Sequence, residues 1–135
     1  MEDYLLDTNH AAALVTLGHP LRQRVLLRLQ AGDTFAITIP VITETLYGIG
    51  LLPRGTQNLA EWARLRPSLA CYLPDEADAE NAAALQRSLR RQGWQLETVD
   101  ALIAVVVLRY SLVLLTSDKD FVPVPNLKQE NWLVP

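Results

Sequence analysis

The chain has 135 residues, of which 50% are hydrophobic and 20% are charged. This length and composition predict one globular domain and exclude a disordered chain. The formal net charge is −3, which argues against tight binding of nucleic acid through overall charge alone. No apolar run reaches the ~20 residues of a bilayer helix, and the first residues are acidic, whereas a signal peptide begins with basic ones. We therefore expect a soluble cytoplasmic protein. The one cysteine, Cys71, has no intramolecular partner for a disulfide.

The first half of the chain alternates short apolar runs with helical patterns. The runs predict strands at 4–6 and 35–39, and the helical patterns predict helices at 8–18, 21–30 and 40–50. Thr8 and Asn9 offer capping groups for the first of these helices, which ends near Gly18. Pro40 suits the first turn of the third helix, where its missing N–H costs nothing.

The second half continues the same alternation. Helices are predicted at 57–65, 75–91 and 99–110, and strands at 70–73, 112–115 and, as a last short strand, near 127–132. The helix at 99–110, which Thr98 can cap, is apolar on nearly every face and is therefore predicted to be buried. Short apolar strands alternating with helices indicate a parallel sheet covered on both faces. We therefore predict that residues 1–135 form a single α/β domain, a three-layer α/β/α sandwich with a mostly parallel central sheet.

Acidic residues follow the predicted strands at one edge of this sheet. Asp7 comes directly after the first strand, and Asp118 and Asp120 come shortly after the strand at 112–115. Asp100 lies in the first turn of the buried helix, where free backbone N–H groups favour an ionised carboxylate. Glu44 lies one turn into the helix after the second strand. Because ligands bind beyond the carboxyl ends of parallel strands, these acids are candidate functional residues.

Four or five carboxylates in one pocket repel one another, by about 4 kcal/mol for a close pair at an intermediate dielectric. A folded chain tolerates this only if a cation neutralises the charge or some of the acids take up protons. Oxygen ligands select hard ions such as Mg²⁺ or Mn²⁺, which activate water and stabilise a phosphate under attack. The residues alone therefore indicate a carboxylate-bound metal site that acts on phosphoryl groups.

Five segments of the chain, in order, resemble the motifs of the PIN-domain family and of its VapC-type toxins. The hydrophobic strand followed by Asp7-Thr8-Asn9 resembles the opening of the family. The other four are a Glu-x-x-Tyr-Gly element at 44–48, an Asp-x-x-Ile-Ala helix start at 100–104, a Thr-x-Asp-x-Asp-Phe loop at 116–121 and a C-terminal strand at 124–132. Each segment is a weak signal alone, but five in sequence are specific.

The resemblance implies a metal-dependent endoribonuclease that cleaves RNA phosphodiester bonds with Mg²⁺ or Mn²⁺, forms a homodimer and is inhibited by a cognate antitoxin protein. Carried over residue by residue, the metal-binding and catalytic acids are Asp7, Glu44, Asp100 and Asp118. The accessory residues are Thr8, Asn9, Thr116 and Asp120. Relatives differ in which position of the loop is acidic, so Asp120 stays open as an alternative to Asp118.

Structural roles are the alternative for several of these residues. Asp7 and Asp100 also suit helix caps, and Asp118 and Asp120 also suit a turn. The two histidines, His10 and His19, are predicted to lie on surface helix or loop positions. The basic residues at the end of the helix at 75–91 complement its dipole, and binding of RNA phosphate is the alternative: they are Arg87, Arg90 and Arg91. The three tryptophans are interpreted as packing or interface residues: Trp62, Trp94 and Trp132.

Other functions are compatible with an acid-lined α/β domain of this length. A phosphoacceptor receiver domain needs an acidic pair after the first strand, but Thr8 follows Asp7, and it also needs an acceptor aspartate after the middle strand. A haloacid-dehalogenase phosphatase needs a second aspartate where this chain has Asn9. A catalytically inactive PIN-like scaffold is the third alternative, and the intact set of acids argues against it.

Overall fold

A computed structural model describes residues 1–134 and contains a central sheet. Its strands are β1 (Asp3–Leu6), β2 (Thr34–Thr38), β3 (Ala70–Tyr72), β4 (Val113–Leu115) and β5 (Gln129–Glu130). They form one five-stranded sheet in the order β3-β2-β1-β4-β5, and each pair of neighbours runs parallel. The predicted parallel sheet is therefore confirmed, although the last strand is shorter than its predicted range.

Helices connect the strands. They are α1 (Thr8–Val15), α2 (Pro20–Gln30), α3 (Ile39–Gly50), α4 (Gly55–Leu65), α5 (Glu76–Arg91) and α6 (Thr98–Arg109). Short 3-10 turns lie at Arg66–Ser68 and Lys119–Phe121. Within residues 1–134, no helix combines the length and the apolar character that a bilayer crossing requires.

The direction of the connections decides which face of the sheet each helix covers. From β1 through β2 to β3 the chain moves outward on one side, and after β3 it returns across the sheet to β4. Crossovers between parallel strands are right-handed in nearly all proteins, so this reversal puts α1–α4 on one face and α5 and α6 on the other. The helix contacts agree, because α1 packs on α2, α3 and α4, whereas α5 packs on α6. The predicted three-layer sandwich is confirmed.

The core is built around the central strand β1, whose Tyr4, Leu5 and Leu6 are buried. The Tyr4 ring stacks on Phe35 with ring centroids 5.0 Å apart, and the Trp132 ring meets Tyr4 edge-on, also at 5.0 Å. Aromatic pairs of this geometry contribute about 0.5–1.5 kcal/mol each beyond their burial. Through this contact, Trp132 packs the C-terminal segment against β1, the strand that precedes Asp7.

Several element boundaries differ from the sequence prediction, three of them at the ends of helices or their neighbouring strands. The first helix ends at Val15 rather than near 18, and Gly18, with a φ of +84°, turns the chain toward α2. The predicted strand at 35–39 is shifted by one residue, because Ile39 already belongs to α3. Glu97, not Thr98, occupies the N-cap position of α6, and its side chain makes no capping hydrogen bond. All three shifts concern ends of elements, where local patterns carry the least information.

The surface position predicted for His10 is wrong. Its side chain is fully buried in α1, and its Nε2 accepts a hydrogen bond of 3.0 Å from the backbone N–H of Trp132. Burial lowers the pKa of His10 to about 4, so the ring is neutral at pH 7. His10 therefore joins α1 to the C-terminal segment, a contact between residues far apart in the sequence that no local pattern reveals.

Candidate metal centre

The ends of β1 and β4 lie side by side at the point where the chain connections leave the sheet in opposite directions. Open parallel sheets bind ligands at such a point. Asp7 follows β1 directly, and its backbone N–H donates a hydrogen bond of 2.9 Å to the carbonyl of Leu115, the last residue of β4. The sheet therefore brings Asp7 next to the loop that carries Asp118.

Both carboxylate oxygens of Asp7 accept a hydrogen bond. Oδ1 accepts from the backbone N–H of Thr8 at 2.9 Å and so caps α1, while Oδ2 accepts from the Thr116 hydroxyl at 2.8 Å. The predicted cap and the predicted site position therefore describe the same side chain. Two donors from two elements fix the carboxylate and leave its other lone pairs for a ligand.

Glu44 comes from the other side of β1, on α3. Its Oε2 accepts a hydrogen bond of 2.9 Å from the Thr8 hydroxyl. Thr8 thus contacts both acids, Asp7 through its backbone and Glu44 through its side chain. Glu44 is exposed, so this hydrogen bond orients a side chain that solvent would otherwise leave mobile.

The loop after β4 presents two acids to α6. The Asp118 backbone donates to the Thr116 hydroxyl at 3.0 Å, and Asp118 Oδ1 accepts from the backbone of Asp120 at 2.9 Å. Carboxylate oxygens of Asp100, Asp118 and Asp120 lie within 4.8 Å of one another. The sequence left open which of the two loop acids belongs to the site, and in the structure both lie beside Asp100.

A cleft of about 490 Å³ collects these side chains. Its lining residues are Asp7, Thr8, Asn9, Glu44, Glu97, Val99, Asp100 and Asp118. The four acids assigned to the metal thus line one cleft with two of the accessory residues. The other two accessory residues adjoin it: Thr116 hydrogen-bonds to Asp7, and Asp120 lies beside Asp100.

The crowding of acids shifts their proton affinity. Burial raises the pKa of Asp100 to about 6, and the negative charges of Asp7, Asp118, Asp120 and Glu44 add to the effect. Burial also raises the pKa of Asp7, although its hydrogen bonds from Thr116 and Thr8 act in the opposite direction. Both shifts mean that removing negative charge from the cleft is favourable.

The residues present fit a hard divalent cation. The donors are carboxylate oxygens from four separate segments, and oxygen is the ligand atom that Mg²⁺ and Mn²⁺ prefer. A cation would relieve the repulsion that raises the pKa of Asp100, which protons otherwise relieve. Asp7, Glu44, Asp100 and Asp118, with Asp120 beside them, are therefore the residues able to hold such an ion.

Two polar residues of the cleft and its wall were not predicted from the sequence. Glu97 lines the cleft one turn before Asp100, and Ser117 accepts a hydrogen bond of 2.8 Å from the Asn9 side chain. The bond between Asn9 and Ser117 ties α1 to the loop after β4. Glu97 had a signal, since it precedes a candidate acid by three positions at the start of a helix, whereas Ser117 had none.

The comparisons with known proteins agree with this geometry. The family model of the PIN domain matches residues 4–127. No curated protein sequence matches the chain. The remaining similarity comes from solved structures.

Toxin–antitoxin complexes are prominent among the similar structures. VapBC2 of Rickettsia felis, solved with a DNA fragment from its promoter, is 25% identical with a TM-score of 0.80, over 96% of this chain and 98% of that one. DNA-bound VapBC of Salmonella typhimurium is 23% identical with a TM-score of 0.77, over 98% and 99%. VapC20 of Mycobacterium tuberculosis, a toxin that cleaves the sarcin-ricin loop, is 20% identical with a TM-score of 0.62, over 90% and 95%.

Proposed function

Because this chain belongs to the PIN domain family, we propose that it is a metal-dependent endoribonuclease and the toxin of a type II toxin–antitoxin pair, active in the cytoplasm. One observation carries the proposal: acids from the ends of β1 and β4 and from the helices α3 and α6 line a single cleft. Like charges that distant segments bring together repel one another, and a divalent cation compensates several of them at once. The substrate assignment to RNA is supported by the similarity to an RNA-cleaving toxin.

The proposed ligands are Asp7, Glu44, Asp100 and Asp118, with Asp120 as the alternative to Asp118. When bound, Mg²⁺ or Mn²⁺ lowers the pKa of a water molecule and neutralises charge on the phosphate under attack. The chain's own part is orientation. Thr8 and Thr116 hold both oxygens of Asp7, and the bond between Asn9 and Ser117 holds the two walls of the cleft together.

The substitutions Asp7→Asn and Asp100→Asn test the site. Each should lower the rate of RNA cleavage at least about a hundredfold, equivalent to about 2.7 kcal/mol of transition-state stabilisation, because each removes a charged ligand and keeps the shape. The measurement is cleavage of an RNA that the parent protein cuts, in Mn²⁺ and in chelator.

Glu80→Gln is the matched control, since it removes an exposed carboxylate of α5 that does not line the cleft. Full activity in Asp7→Asn would contradict the assignment of ligands. A parent protein that neither binds Mn²⁺ in a titration nor cuts RNA would favour an inactive scaffold.

The proposed partners are a cognate antitoxin and a second copy of the chain. The similar structures include VapBC complexes, and the cleft holds uncompensated carboxylates that an arginine of the antitoxin could pair with through two parallel hydrogen bonds. The test is a pull-down with the product of the reading frame directly upstream. Binding should weaken in Asp118→Asn, and no binding at all would favour a housekeeping nuclease instead of a toxin.

A further inference from the structure

A second cleft, of about 520 Å³, lies at the C-terminal end of α5 and contains no acid. Its lining includes Gln86, Arg87, Arg90, Arg91, Trp94 and Leu96. We propose that this basic cleft binds the single-stranded RNA that leads into the metal centre, with a base stacked on Trp94 and phosphates on the three arginines. The inference rests on the proposed ribonuclease function and names the subsite that holds its substrate.

The three arginines of the basic cleft are free to bind a ligand. Most other arginines already have a protein partner. Four of them form salt bridges: Arg22 and Arg64 with Glu61, Arg28 with Asp33, and Arg109 with Asp75 and Asp78. Arg24 lies over the Trp132 ring, and Arg66 donates a hydrogen bond to the Leu69 carbonyl. Within residues 1–134, by contrast, no carboxylate pairs with Arg87, Arg90 or Arg91. All three are exposed, and their spacing puts them on one face of α5.

The helix dipole does not account for the whole cluster. Arg90 and Arg91 already occupy the last turn of α5, where a positive charge complements the dipole. Arg87 lies one turn earlier, and like charges at this spacing destabilise a helix. Guanidinium groups bind phosphate through two parallel hydrogen bonds. Successive phosphates of an RNA strand would therefore compensate all three positive charges.

Trp94 differs from the other two tryptophans. Trp62 and Trp132 are 6% and 7% exposed, whereas Trp94 is 50% exposed. Its backbone is fixed, because the N–H of Trp94 donates to the Leu89 carbonyl at 2.9 Å after the left-handed Gly93, whose φ is +87°. A half-exposed indole on a fixed backbone beside arginines is an arrangement on which nucleic-acid bases stack.

The basic cleft is joined to the metal centre by a short stretch of chain. Asp100 follows Trp94 by six positions, a span of at most about 22 Å even if fully extended. The Gln86 side chain fastens this stretch to α5 by donating to the Leu96 carbonyl at 2.9 Å and to the Thr98 hydroxyl at 3.3 Å. Glu97, between the two, already lines the metal centre. One strand of a few nucleotides can therefore occupy both clefts.

The net charge of the chain favours a local site of RNA attraction over attraction by the whole surface. With a formal charge of −3 and an acidic cleft, the protein as a whole does not attract RNA. A local positive cluster can do so, since exposed charges act within about 10 Å at ordinary salt. The acids then meet the phosphate after it has been captured on the arginines.

The test measures RNA binding without cleavage. The probe is a fluorescent single-stranded oligoribonucleotide of about twelve nucleotides, alternating cytidine and adenosine, titrated with the full chain in chelator. Trp94→Ala should weaken binding about fivefold to a hundredfold, and Trp94→Phe should retain most of it because the stacking face remains. Arg90→Gln with Arg91→Gln should weaken binding and reduce the dependence on salt, by about 0.7 in the logarithmic slope for each lost phosphate contact.

Lys128→Gln is the matched control. It removes one exposed positive charge directly before β5, at the opposite end of the sheet from the acids, and should leave binding unchanged. RNA should also quench the tryptophan emission of the parent protein, and this quenching should be absent in Trp94→Phe.

Two outcomes would overturn the inference. One is equal RNA affinity in the parent, Trp94→Ala and the double arginine variant, which would leave the ribonuclease proposal standing if the parent still cuts RNA in Mn²⁺. The other is dissociation of a dimer by Trp94→Ala in sedimentation, which would assign the indole to a protein interface. Binding at the basic cleft by a protein that never cuts RNA would instead refute the proposed function and keep the subsite.

Discussion

The carboxylates of Asp100, Asp118 and Asp120 lie within 4.8 Å of one another, so each raises the free energy of the metal-free fold. Asp118→Asn removes one of these charges. Its amide oxygen can still accept the hydrogen bond that Asp118 Oδ1 receives from the backbone of Asp120. We therefore expect Asp118→Asn to stabilise the metal-free protein by about 0.5–2 kcal/mol, measured by urea unfolding in chelator.

Asp120→Asn is the matched comparison, because it removes the neighbouring charge. Adding Mn²⁺ should stabilise the parent more than the variant that has lost a ligand, and so identify the loop acid that binds the ion. A lower urea midpoint for Asp118→Asn in chelator would mean that the residue serves the turn and not the metal centre.

The raised pKa of Asp100 makes stability depend on pH. Burial and neighbouring acids raise its pKa to about 6 in the folded protein, against about 3.9 in an unfolded chain. Between these pH values the folded state holds more protons than the unfolded state. The stability that protonated Asp100 contributes is therefore lost as pH rises from about 4 to about 6.

The comparison of the parent with Asp100→Asn isolates this effect. In chelator, the stability of the variant relative to the parent should grow as pH rises through that window. His10, whose pKa is lowered to about 4 by burial, titrates in the same range in both proteins and cancels in the difference. A difference that stays constant from pH 4 to pH 7 would contradict the raised pKa that burial and the neighbouring acids give Asp100.

At the scale of elements, the turn between α3 and α4 depends on Gly55. A Cβ at this position would lie 2.7 Å from the backbone oxygen of Gly50, which cannot move aside as a side chain can. Gly55→Ala should therefore destabilise the protein by about 1–3 kcal/mol in urea unfolding.

Gly48→Ala is the control within the preceding helix. Gly48 lies inside α3, and a Cβ there would meet nothing within 4 Å. The higher helix propensity of alanine should make this change stabilising by about 0.5–1 kcal/mol. Equal effects of the two substitutions would show that the contact with Gly50 does not constrain the turn.

The elements also show why the sequence predicted most of the fold. The strands are short runs of apolar residues bounded by turn residues, and α5 carries an acidic first turn and a basic last turn, so local patterns identify them. Contacts between distant segments leave no such pattern. The burial of His10, for example, depends on the Trp132 backbone at the other end of the chain.

At the scale of the whole molecule, the position of the acids was predictable because parallel strands end at one edge. Asp7 and Asp118 each follow a strand, which predicts that both lie at this edge. The structure adds that β1 and β4 are neighbours, and this brings the two residues together. The bond between Asn9 and Ser117 and the free indole of Trp94 were not predictable, since both depend on how helices pack around that edge.

The central place of β1 in the sheet has a consequence for folding. Its two neighbours, β2 and β4, start about 30 and about 110 residues later in the chain. β4 can therefore pair with β1 only after most of the protein has been synthesised. Pairing over such separations is slow because loop-closure entropy must be overcome first. Asp7 emerges early from the ribosome, but its carboxylate meets Thr116 and Asp118 only when β4 pairs with β1. A nascent chain therefore holds separate acids and no cleft, and the complete cleft forms only in the late step in which β4 pairs with β1.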